Sequence, residues 1–104
     1  MSLETEGFKE LINRHYPIRY RGIFKLTEEC GELLTDIGKL AVFPDVPHPD
    51  GKGLMNPRIQ DELADVLAAV QYFIENNDFD KNYINNRKEE KLKKFKQWEL
   101  DGIL

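Results

Sequence analysis

Two long stretches in which apolar residues recur every three or four positions are separated by a connection that includes ten residues neither a helix nor a central strand could contain. The first runs from about 20 to 43 and carries Ile23, Leu26, Cys30, Leu33, Ile37 and Leu40. The second runs from about 57 to 76 and carries Ile59, Leu63, Val66, Leu67, Val70 and Ile74. That spacing is the signature of an amphipathic helix. Between them, Pro44 to Gly53 holds three prolines and two glycines, which remove backbone donors and favour turns, so the segment is a connecting loop. Two helices joined in this way are expected to pack antiparallel as a long hairpin.

Two further helices are expected. Phe8, Leu11 and Ile12 lie on one side of a stretch from about 3 to 14, closed by Pro17. After the break at Asn76-Asn77-Asp78, Tyr83, Ile84, Leu92, Phe95 and Trp98 are spread among many charges from about 81 to 98. No segment alternates with period two. The expected architecture is therefore all-α, a four-helix bundle built on the long antiparallel hairpin, as one domain over residues 1–104.

Charged residues make up 33% of the chain and hydrophobic residues 40%, a balance that fits a folded domain and excludes a disordered one. No apolar run approaches the ~20 residues of a membrane span. Glu4, Glu6, Lys9 and Glu10 interrupt the place where a signal peptide would need its apolar core. A cytoplasmic protein is expected, with no membrane partner. Cys30, the single cysteine, lies on an apolar stripe and is read as packing. Apolar residues outside the main stripes, including Phe24, Leu34, Ala64, Tyr72 and Phe73, exceed what four short helices bury, so the chain is expected to form a homodimer or homotetramer.

The chemistry lies in two acidic pairs, Glu29 with Glu32 and Glu62 with Asp65. Carboxylates three apart on a helix point the same way and repel unless a cation lies between them. At about 100° per residue, Glu29 and Glu32 fall about 75° and 135° to one side of their stripe, and Glu62 and Asp65 about 85° and 145° to the same side of theirs. Equal offsets on antiparallel partners place both pairs on one flank, where four carboxylates converge. The axial match is poorer, off by about 9 Å, so the loop must let the later helix enter deeper along the earlier one. Asp36 lies on the same acidic flank.

An all-oxygen set suits Mg²⁺, with Mn²⁺ as a substitute. His15 and His48 stand alone, so neither a zinc site nor a Glu-x-x-His di-iron site is expected.

Leu26-Thr27-Glu28-Glu29-Cys30-Gly31-Glu32-Leu33, followed by Asp61-Glu62-Leu63-Ala64-Asp65-Val66-Leu67, resembles the E-x-x-E…E-x-x-D signature of the MazG-like all-α nucleoside triphosphate pyrophosphohydrolases. The resemblance covers about residues 20 to 95, with 29 residues between Glu32 and Glu62, a long gap that the proline-rich insertion explains. It implies an Mg²⁺-dependent enzyme that cleaves a (d)NTP between the α and β phosphates into (d)NMP and pyrophosphate, in a nucleotide-pool house-cleaning role. It implies Glu29, Glu32, Glu62 and Asp65 as metal-binding and catalytic residues. It also implies Asn and basic residues early in the last helix, among which Asn86, Lys88 and Lys91 are the substrate-binding candidates. Glu32 or Glu29 could act as general base. Arg19 and Arg21, just ahead of the first long helix, could either reach phosphates or simply lie on the surface.

A related pyrophosphatase of the phosphoribosyl-ATP or dUTP type would share the acids and differ in base recognition. A non-enzymatic helical dimerisation module would need none of them. A nucleic-acid partner is not expected, because the basic last helix shares its small domain with an acidic face.

Overall fold

A computed structural model describes residues 20–104. The expected helix over 3–14, with Pro17, and also His15 and Arg19, lie outside the described residues. Three helices follow in order: α1 (Ile23–Val42), α2 (Met55–Glu75) and α3 (Lys81–Leu100). The described residues contain no strand.

Over the described residues, the expected four-helix bundle on a long antiparallel hairpin is thus corrected to an all-α bundle of three helices. Among these helices only α1 and α2 share an extensive contact. The reason for α3 standing apart is its sequence. It is polar nearly all round, and only Ile84, Lys91 and Trp98, seven residues apart, are partly covered. Without a continuous apolar stripe a helix has little to bury.

Local signals fix the helix ends. The Asp80 carboxylate accepts the Tyr83 backbone N–H at 2.9 Å and caps α3. At its other end Gly102 adopts φ +75°, and the N–H groups of Gly102 and Ile103 donate back to the carbonyls of Glu99 and Trp98. That paired closure is a Schellman motif, which favours glycine at the left-handed position. Pro57 falls in the first turn of α2, where its missing N–H has no intrahelical partner to lose. Gly22 precedes α1 at φ +84°, and a Cβ there would lie 2.9 Å from the Tyr72 ring. Only glycine meets both demands.

Both ends of the α1–α2 pair are tied. At one end the Asn77 side chain accepts the Arg21 N–H at 2.8 Å and donates to the carbonyls of Arg21 and Phe73. Tyr20, Phe73 and Phe79 cluster over it with ring centroids 5.4–6.1 Å apart. At the other end the proline-rich loop folds back on α1. Asp50 accepts both guanidinium nitrogens of Arg58 at 3.0 and 3.2 Å and approaches Lys39 at 3.7 Å. Met55, completely buried, plugs this end.

One register runs the length of the pair, from Gly22 beside Tyr72 to Asp36 beside Arg58. Continued along both helices, it sets Glu32 opposite Glu62 and Glu29 opposite Asp65. The axial mismatch expected from sequence disappears because the loop turns back, and α2 starts alongside α1.

Candidate metal centre

The seam between α1 and α2 is not purely apolar. On α1, Leu26, Glu29, Leu33, Asp36 and Leu40 are partly buried; on α2, Arg58, Ile59, Glu62, Val66 and Phe73 are, with Ala69 fully buried. These positions recur at helical spacing. Glu29 and Glu62 therefore stand in the seam, closer to its centre than the flank position that stripe geometry predicted, while Glu32 and Asp65 are exposed beside it. The residues one position on, Ile37 and Leu63, were read as stripe residues and are instead 44% and 45% exposed.

Three carboxylates meet. Oxygen atoms of Glu29, Glu32 and Glu62 lie within 4.8 Å of one another. Oε2 of Glu29 and Oε2 of Glu62 are both buried without a hydrogen-bond partner. Lys25 comes only to the other Glu29 oxygen, Oε1, at 4.0 Å, and lies nearer Glu28 at 3.5 Å. Burial pushes the Glu29 carboxyl above its usual range, and Glu32 and then Asp65 add to the shift. Burial does the same to Glu62, followed by Glu32, Asp36 and Asp65. A buried carboxylate oxygen lacking a donor costs free energy that a hard cation would recover. The donor set therefore fits a divalent cation.

Asp65 is exposed and lies outside the group of three. Its charge nonetheless acts on both Glu29 and Glu62. The mouth of the site is a cleft of about 450 Å³ lined by Glu28, Gly31, Glu32, Thr35, Asp36 and Glu62. Thr35 donates its hydroxyl to the Gly31 carbonyl at 3.0 Å.

The α3 candidates are not drawn into this cluster. Asn86 is exposed. Lys88 pairs loosely with Glu89 at 3.8 Å and lines a separate apolar cleft with Leu67, Val70, Ile74 and Ile84. Lys91 lies over the Trp98 ring, 5.7 Å from its centre. Among the described residues no hydrogen bond or ion pair joins any of the three to the glutamates.

Known families, curated proteins and solved structures were compared with the chain. None matches it. The acid cluster consequently stands on its own geometry. No helix among the described residues is long and apolar enough to cross a membrane.

Sequence reasoning missed Arg58 and Asp50. Arg58 bridges Asp50 at 3.0 Å and approaches Asp36 at 3.9 Å. Its spacing, four residues before Glu62 on α2, was a legible signal for a cation at the cluster's edge. Asp50 was hidden in the loop. The Lys52 backbone N–H and then Arg58 hold its carboxyl far below the usual carboxylate range. A depressed carboxyl contributes stability that is complete above the unfolded value of about 3.9 and fades only as pH falls through the lower folded value. In an NMR pH titration the Asp50 carboxyl is expected to stay ionised through pH ~4, and Arg58→Gln to bring its midpoint back toward the ordinary value. An ordinary midpoint in the unmodified protein would show that the loop clamp is absent in solution.

Proposed function

We propose that the protein is an Mg²⁺-dependent nucleoside triphosphate pyrophosphohydrolase that releases (d)NMP and pyrophosphate. The observation that carries this reading is the pair of buried, donorless oxygens on Glu29 and Glu62, within reach of Glu32. Sites of this kind are costly unless they bind something, and the hard-oxygen donor set selects a small divalent cation. The signature formed by Glu29, Glu32, Glu62 and Asp65 resembles that of the MazG-like pyrophosphohydrolases, which supports the choice of substrate.

Glu29, Glu32 and Glu62 would hold the ion, with Asp65 adding negative charge from the rim. When bound, Mg²⁺ supplies neutralisation of phosphate charge and lowers the pKa of a water. Glu32 is the exposed member of the trio, so it is the group best placed to orient a water from the cleft and accept its proton. Lys88, Lys91 and Asn86 would serve the substrate only by way of movement of α3 or a second copy of the chain.

A homodimer or homotetramer is part of the same proposal. Leu34 and Leu67 are each 69% exposed. With Ile37 and Leu63 they lie about 100° round from the seam positions, in the same rotational sense on both helices, and so form one apolar face. Glutamate at Leu34 and Leu67 together is expected to convert an oligomer to a folded monomer by analytical ultracentrifugation. A monomeric parent chain would remove this part of the proposal.

The deciding assay incubates the protein with a panel of (d)NTPs and modified nucleotides with Mg²⁺ and measures pyrophosphate and nucleoside monophosphate. Stoichiometric release that stops with chelator is expected. A protein that binds Mg²⁺ yet releases no pyrophosphate from any nucleotide would overturn the enzymatic reading and favour a helical interaction module.

A further inference from the structure

We infer that Asp50 serves cation binding at a distance: it draws Arg58 away from Asp36, and so keeps Asp36 available as an additional anionic contact at the mouth of the glutamate cluster. This inference rests on the metal reading of the cluster and assigns a positioning residue to it.

Asp36 lines the cleft with Glu32 and Glu62, and its side chain is only 13% exposed. Two cations stand beside it, Lys39 and Arg58, each at 3.9 Å. Neither comes within hydrogen-bond distance. Both lie closer to Asp50, Arg58 at 3.0 Å through a two-pronged contact and Lys39 at 3.7 Å. The Lys52 backbone N–H, at 2.9 Å, holds the Asp50 carboxylate in place, and the Asp50 N–H donates to His48 Nδ1 at 2.9 Å. Asp50 is therefore fixed by the turn around it and not only by the cations it collects.

Bidentate guanidinium–carboxylate pairs are directional and among the stronger ion contacts. Holding Arg58 in this geometry leaves Asp36 with nearby positive charge but no hydrogen bond. Its charge is then felt at Glu62, where Asp36 raises the carboxyl pKa. With Asp50 uncharged, Arg58 loses its bidentate partner, and Asp36 becomes the nearest carboxylate on the same side. An Arg58–Asp36 contact would cancel one negative charge at the mouth of the cleft and occupy its ligand oxygens.

The test measures Mn²⁺ uptake by the metal-free protein, from the loss of the free-ion EPR signal, with helicity followed by circular dichroism. Asp50→Asn is expected to weaken Mn²⁺ binding about three- to fivefold, the upper range for a partly exposed ion pair. Adding Arg58→Gln to Asp50→Asn is expected to restore affinity to within about twofold, since no guanidinium remains to move. In an Asp36→Asn background, Asp50→Asn is expected to cost less than about twofold. Equal binding by Asp50→Asn and the parent chain overturns the inference. So does the same loss with and without Asp36, which would mean simple long-range charge. A parent chain that takes up no Mn²⁺ instead overturns the metal reading on which the inference stands. Should Asp50→Asn unfold, Arg58→Gln alone provides the second route: because Asp50 already holds the guanidinium off Asp36, Mn²⁺ affinity is expected to stay within about twofold of the parent chain, and clearly tighter binding overturns the inference, since it would mean that Arg58 was neutralising Asp36 all along.

Discussion

Glu62→Gln is expected to lower pyrophosphate release by at least about 100-fold while the helices remain intact. The substitution preserves shape and removes the charge of one of the three carboxylates that meet within 4.8 Å. It also turns an amide with two donors toward Glu29 and Glu32, which a cation would have to displace. Asp65→Asn, outside the group of three, is expected to have a smaller effect, about tenfold, because it contributes field and not a convergent oxygen. The comparison is made by initial rates at saturating Mg²⁺, with circular dichroism to confirm that both proteins fold. Retention of full activity by Glu62→Gln would separate the glutamate cluster from catalysis.

The same substitution should stabilise the metal-free protein. Glu29 and Glu62 each have a buried oxygen without a donor, and both carboxyls are pushed above their ordinary values, first by burial. A raised carboxyl means that the folded state resists ionisation more than the unfolded chain does. The penalty is absent where both states are protonated, grows as pH rises through the unfolded value, and is complete above the folded one. Neutral glutamine removes it, so Glu62→Gln and Glu29→Gln in chelator are each expected to gain about 1 kcal/mol, or about 4–8 °C in Tm for a domain of this size. Saturating Mg²⁺ should reverse the ranking: it is expected to raise the parent Tm through binding linkage, by about 2.7 kcal/mol at a hundred times Kd, and to leave the glutamine variants nearly unmoved. Differential scanning fluorimetry with and without Mg²⁺ checks both halves. Destabilised glutamine variants in chelator would mean that the orphan oxygens are satisfied in solution by something other than a cation.

The seam could be read from sequence only in part. The spacing of Leu26, Leu33 and Leu40 on α1 and of Ile59, Val66 and Val70 on α2 was legible as helix, and so was the breaker from Pro44 to Gly53. Which of several overlapping stripes faces inward was not, because Cys30 and Ile37 make as good an apolar row as Leu26 and Leu33. The choice was settled by contacts far apart in the chain: Tyr72 closing on Gly22, Asn77 gripping Arg21, and Arg58 reaching Asp50. A helical wheel carries no information about them. The identity of the acids was legible from their spacing; their depth in the seam was not. The Lys-rich α3 shows the opposite failure. Its periodicity was weak, and placing Asn86, Lys88 and Lys91 near the acids required a packing that its polar surface does not support.

The shared register of α1 and α2 has a consequence for how this chain can vary. Alignment of the glutamates is anchored at both ends of the helical pair, with the connector merely bridging the distance. Extra residues around Asp45 to Pro47 would bulge outward at small entropic cost and leave the ligands aligned. One residue inserted between Gly22 and Glu29 would swing every later α1 acid by about 100° and scatter the cage. Natural lengthening should therefore accumulate at the prolines and be purged from the first two turns of α1.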